Sequence, residues 1–313
     1  MTVADTAALV ADAAGETPRR HPVAGPSPRR RRGGLAKYLG LTPFALYVLL
    51  FLAIPTVLAV GTGFFTEDGA FTFANILGIF EPAVLGTFAN SFWVSAVTAV
   101  LGAIVGALVC YAMLGTKGSG ALRSIVDSAS SVLAQFGGVM LAFAFIAAIG
   151  GQGLITTWIL DATGVNIHEN GNWLYQVPGL VPVYFYFQVP LMIITFLPAL
   201  EGLKSQWAEA NATLGGTRWT YWTRIAGPVL APSFIGSLLL LFANAFSSYA
   251  TAAALISQGS QIVPLQIRSA LISETVLGRE NMAGALALGM IVVMVVVMWG
   301  YSVLAARTSR WQR

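Results

Sequence analysis

The chain has 313 residues, of which 56% are hydrophobic and only 10% charged, where a soluble domain carries about 25% charged residues. So little polar surface cannot cover a globule, which excludes a disordered chain, a coiled coil and an ordinary cytosolic fold and points to the bilayer as solvent. The net charge of +4 is not a nucleic-acid footprint, because the basic residues are distributed as a topology signal. The single cysteine, Cys110, rules out an internal disulfide and reads as a packing residue in an apolar run. With only His21 and His168 far apart in sequence, no histidine metal cluster is expected, and no cofactor of the chain's own.

Residues 1–38 are rich in Ala, Pro and Arg and read as a disordered basic tail. Arg29 to Arg32 stand before the first long apolar run rather than inside a cleavable leader. Six stretches then satisfy the length of roughly 20 apolar residues that a crossing needs. They lie at about 39–65, 89–114, 125–150, 177–200, 229–256 and 282–306. The expected fold is all-α and integral to the membrane, with a six-helix membrane domain over 39–306 and a short end at 307–313. Pro55 should bend the first helix. Pro182, Pro190 and Pro198 should kink or break the fourth. Gly102 and Gly106 in the second fit a close helix–helix approach.

Orientation follows from Lys and Arg. With six crossings, all but Arg268 and Arg279 of the 17 basic residues fall on one side, which places both termini in the cytoplasm. The opposite side carries Glu67, Asp68, Glu81, Asp161, Glu169, Glu274 and Glu280, a balance that suits a cationic solute or a basic partner patch. Inside the spans, polar groups usually face a partner helix or a water path. Ser128, Ser131 and Gln135 form one such stripe in the third span. Asn244, Ser248 and Thr251 form another in the fifth, and Gln188 stands alone in the fourth. Each set reads equally as helix–helix glue.

The connection at 201–228 is too patterned for a passive loop. Leu203, Trp207, Ala210 and Leu214 share one face of a helix, and Gly215–Gly216 supply a turn. Trp219, Trp222, Ile225 and Val229 repeat the spacing before Pro228 closes the segment. Two short amphipathic helices at the membrane edge either lie on headgroups or dock in a groove of another protein.

Glu209-Ala210-Asn211, Gly215 six residues after Glu209, and then Ile225 and Pro228 resemble the EAA loop of binding-protein-dependent ABC importer permeases. Asn211 stands where that pattern has Ala, and Gly227 where Leu commonly precedes the Pro. Asn90-Ser91, Cys110-Tyr111-Ala112 and Gly151-x-Gly153-Leu154 agree with the same family, while Gln135-Phe136 stands near a proline usual in the third span. The resemblance implies that the helix bearing Glu209 is a coupling helix seated in a cytoplasmic ATPase, with Trp207, Ala210 and Leu214 at the contact. Gly215 would be the bend, and Ile225 and Pro228 the link to the fifth span. It implies an ATPase dimer, a second permease subunit, identical or homologous, an extracytoplasmic substrate-binding protein and a bacterial plasma-membrane location. The outer loops, with Arg268, Glu274, Arg279 and Glu280, would receive the binding protein. ATP would be bound by the partner, since the chain has no phosphate loop. Ile262-Val263-Pro264-Leu265 looks most like importers of polyamines, ferric iron, phosphonates or thiamine. A sugar-type importer is the alternative, and an ion-driven secondary transporter a more distant one, since no ionisable residue sits at mid-span. A membrane enzyme would need a constellation of reactive groups at one depth, and none is visible.

Overall fold

The computed structural model describes residues 35–114, 120–169, 171–256, 262–272 and 280–309. The basic tail, Lys117, Glu274, Arg279 and the last four residues lie outside them. The chain divides into two compact units, Met1–Pro55 and Thr56–Arg313. Among the described residues the structure is helical apart from an isolated bridge between Phe65 and Phe71. Six helices are long and apolar enough to cross a membrane: Leu41–Thr62, Pro82–Met113, Gly138–Thr163, Val177–Glu201, Arg218–Phe246 and Glu280–Val303.

In the first unit, α1 (Leu35–Val48) passes into a π turn at Leu49–Ala53, closed by Ile54 N–H donating to the Leu49 carbonyl. Proline has no N–H and its ring crowds the carbonyl four residues back. A wider turn just before Pro55 absorbs that conflict. The same device recurs before Pro228, where Trp222–Ala226 is a π turn and Gly227 N–H donates to the Trp222 carbonyl.

α2 (Ile54–Thr62) begins in the first unit and ends in the second, where a tight aromatic loop follows, in which Phe71 meets Phe73 edge-on at 5.1 Å, and then the short α3 (Ala74–Gly78). α4 (Pro82–Met113) starts on a proline, where the missing N–H has no intrahelical partner to lose. It packs along α8 (Leu180–Glu201) at the centre of the unit. Gly102 and Gly106 make that approach possible. A Cβ on Gly106 would fall 2.5 Å from Met192 Cβ and 3.0 Å from the Val189 carbonyl oxygen, and one on Gly102 would overlap Gln188 Cβ. Cys110 is fully buried in the apolar cluster alongside.

Two expectations about the spans are corrected, a break in the fourth and a single helix for the third. α8 runs unbroken from Leu180 to Glu201. Pro182 sits in its first turn, where the N–H groups are free in any case, and Pro190 and Pro198 are accommodated within the helix. The third span is not one helix over 125–150. That stretch holds α5 (Ala121–Gln135), a break at Phe136–Gly137, and α6 (Gly138–Ile149), which continues after a glycine turn into α7 (Leu154–Thr163) to make the crossing length Gly138–Thr163. The fifth is likewise divided, into α11 (Gly227–Phe246) and α12 (Ala250–Leu255). α13 (Val263–Ile272) buries its first turn, its leading N–H donating to Ser91 Oγ at 2.8 Å, and α14 (Glu280–Ser309) completes the unit.

Candidate functional site

The two broken helices meet at their breaks. Gly138 opens α6 with φ +72°, a left-handed conformation that glycine adopts without a side-chain clash. Its N–H donates to Thr251 Oγ1 in the first turns of α12, at 3.0 Å. On the other side of the junction, Tyr184 Oη of α8 donates to the Ser248 carbonyl at 2.8 Å. Backbone that leaves a helix needs other hydrogen-bond partners, and Thr251 and Tyr184 supply them.

The seven polar residues singled out from the sequence divide around this junction, and Ser128 is exposed on α5. Ser131 and Gln135 are exposed on the last turns of α5, Asn244 is exposed near the end of α11, and Ser248 is half-buried in the gap. Such groups are costly against hydrocarbon, so this face suits water or another chain. Thr251 and Gln188 are buried instead. Gln188 lies between α4 and α11, its Nε2 donating to the Leu241 carbonyl at 2.9 Å. Its Oε1 has no partner.

Because Thr251 is 1% exposed, replacing it removes an acceptor that water does not reach. Thr251→Val is expected to destabilise the protein by about 1–3 kcal/mol, the usual penalty of stranding a buried donor. Thr251→Ser should retain most of the stability. Thermal unfolding in detergent measures both, and equal melting of Val and wild type would contradict the assigned bond.

The connection after α8 is a helical hairpin. α9 (Ser205–Thr213) ends in a Schellman-type closure, with Gly215 at φ +77° and Gly216 N–H donating to the Asn211 carbonyl at 2.8 Å. Thr217 then caps α10 (Arg218–Tyr221) by accepting from Thr220 N–H. Asn211, set aside in the sequence as a departure, binds the hairpin together. Its Nδ2 donates to the Thr217 carbonyl at 3.1 Å, and a Cβ on Gly216 would collide with its amide. An Asn one turn after Trp207 and just before Gly-Gly was the available signal.

The structure divides the expected stripe between a covered end and an open one. Leu203 and Trp207 are half-buried and Asn211 is buried, but Ala210 and Glu209 are exposed and Leu214 is 89% exposed. On the second arm Trp219 is 78% exposed. Trp222 instead packs edge-on against Tyr111 at the end of α4, at 5.2 Å, and Ile225 is half-buried while Pro228 is exposed. The hairpin is thus anchored by Leu203, Trp222 and Asn211 and presents Glu209, Leu214 and Trp219 outward. Farther along the chain, Arg268 is exposed beside an apolar cavity of about 360 Å³ lined by Tyr249, Pro264, Ile267 and Leu271.

No protein-family model matches the chain. It is similar to a probable sulfate transport system permease protein cysT of Anthoceros angustus, with 24% identity over 54% of this chain and 56% of the relative, so the match spans little more than half of that protein. It is also similar to the spermidine/putrescine transport system permease protein PotB of Haemophilus influenzae, with 22% identity over 82% of this chain and 89% of that one. Its fold matches a crystal structure of a bacterial ABC transporter involved in the import of the acidic polysaccharide alginate, with a TM-score of 0.68 over 87% of this chain and 96% of the other at 16% identity. The relatives are named as transport system permease proteins, and the fold is that of a chain of the alginate ABC transporter.

Proposed function

We propose that this chain is the membrane permease of an ATP-driven importer, forming the solute path and coupling it to a separate cytoplasmic ATPase. The observation that carries the reading is the hairpin. A segment fixed by Asn211, Gly215 and the Trp222–Tyr111 contact leaves Leu214 and Trp219 uncovered, and large exposed apolar groups on an otherwise tied element mark an interaction site. In this reading the coupling residues are Trp207, Glu209, Ala210, Leu214 and Gly215, with Ile225 and Pro228 transmitting motion into α11. The polar rims of the two helix breaks, Ser131, Gln135, Asn244 and Ser248, line the route. Discontinuous helices that meet inside a bilayer recur at transporter binding sites.

The complex comprises two ATPase subunits, this chain with a second permease chain, and an extracytoplasmic binding protein. It sits in the bacterial plasma membrane with both ends of the chain in the cytoplasm, as the bias of Lys and Arg indicates. A small polyamine-like cation is the solute class favoured by the acidic outer loops and by a relative that aligns over most of the chain. Tagged full-length protein isolated from its native membrane is expected to bring down an ATPase and to hydrolyse ATP. Isolation of an intact chain with no hydrolysing partner would overturn the proposal.

A further inference from the structure

Two charges in this protein stand at the wrong ends of their own helices. Arg123 is the third residue of α5, whose first turn carries no acidic residue, and Glu201 is the last residue of α8, whose last turn carries no basic one. A helix N-terminus disfavours a cation and a C-terminus disfavours an anion. Across the interface the conflict resolves. The Arg123 guanidinium is ion-paired to Glu201, which sets the cation beside the end of α8 and the carboxylate beside the start of α5. Arg123 has a second acceptor on its own helix, Asp127 Oδ2 at 3.6 Å from Nε. The three groups border a cavity of about 250 Å³ that also reaches Ser130 and Ser131.

The position of this tie gives it a role. Glu201 lies four residues before α9, the first arm of the hairpin, and α5 carries Ser131 and Gln135 to the helix break. We infer that the Arg123–Glu201 pair is a releasable tie that passes displacement of the hairpin to α5, with Asp127 as the acceptor that holds Arg123 when the tie opens. It rests on the reading of the hairpin as the ATPase's handle. A surface pair between long side chains contributes little to folding, and Arg123 and Glu201 keep 23% and 38% of their side-chain surface exposed. The pair therefore positions rather than stabilises. Arg123 touches both carboxylates at once, so Asp127 is already in place to keep it if Glu201 moves away.

The test uses the complex of full chain and ATPase, with ATP as the only added ligand and a Ser131→Cys reporter on α5 labelled by a maleimide. Cys110 is buried and does not compete. In the unaltered pair, ATP should change the labelling rate. Arg123→Gln and Glu201→Gln should each abolish that change while ATPase capture and hydrolysis persist, which shows that the variants are folded and docked. The exchanged pair, Arg123→Glu with Glu201→Arg, should restore it, which a merely structural contribution of either residue would not do. Asp127→Asn should leave the change in place but slow it, and an unaltered rate there would overturn the exchange of partners. If both single variants keep the full ATP-dependent change, the tie transmits nothing and the inference is wrong. If the unaltered chain captures no ATPase, it is the reading of the hairpin that fails, and this inference falls with it.

Discussion

Gly102→Leu is expected to prevent accumulation of folded protein. A side chain at this position meets Gln188 at its Cβ and backbone, not at a flexible tip, so α4 and α8 would have to separate. Overpacking a tight core costs about 1–3 kcal/mol. Here the separation would also pull the Gln188 amide from the Leu241 carbonyl, and a stranded buried polar group adds about 1–3 kcal/mol more. The sum is a large part of the roughly 5–15 kcal/mol by which native domains are stable. Gly61→Ala is the matched control, because a Cβ there has nothing within 4 Å and alanine is the better helix former. Expression and gel-filtration profiles in mild detergent should separate the two sharply. A monodisperse Gly102→Leu protein would show that the α4–α8 approach is looser than described.

Much of this architecture is legible in the sequence because the bilayer imposes a length and a polarity that few other environments do. The second and sixth spans are recovered as single helices over Pro82–Met113 and Glu280–Ser309, and Gly102 and Gly106 behave as their small-residue spacing implies. Hydropathy does not see a break in which the backbone leaves the helix while the side chains stay apolar. Phe136 and Gly137 interrupt the third span without any polar signal, and the interruption is tolerated because Thr251, 113 residues away, accepts the Gly138 N–H. The prolines of α8 do not break it, since the helix continues from Leu180 to Glu201.

At the candidate site the same division holds. The 3- and 4-residue spacing of the hairpin locates its helices, but spacing cannot say which face the protein covers. The buried position is taken by Asn211, whose amide has a backbone partner to reach, while Leu214 is left uncovered. Gln188 is polar and mid-span, as a lining residue would be, yet a donor inside an interface with one good acceptor is equally well placed there. Arg123 and Glu201 are separated by three helices' worth of chain, so their pairing is visible only once α5 and α8 lie side by side.

Glu209→Arg is expected to reduce capture of the ATPase at least about 30-fold without unfolding the chain. The residue is exposed on α9 and, among the described residues, forms no ion pair, so its replacement removes nothing that the permease itself relies on. At the proposed docking surface the position differs. Breaking one partner of a desolvated charge contact in an interface costs about 2–5 kcal/mol, and reversal adds repulsion to that loss. Glu209→Gln, which keeps the shape and some hydrogen bonding, should fall between wild type and Arg. Leu214→Ala should weaken capture through lost apolar contact, independently of salt. The salt dependence separates the two contributions, because exposed charges are screened within about 8 Å at physiological ionic strength and apolar contact is not. Capture left intact by Glu209→Arg, with Leu214→Ala equally silent, would mean that the outward face of the hairpin rests on lipid headgroups and that the motor grips the chain elsewhere.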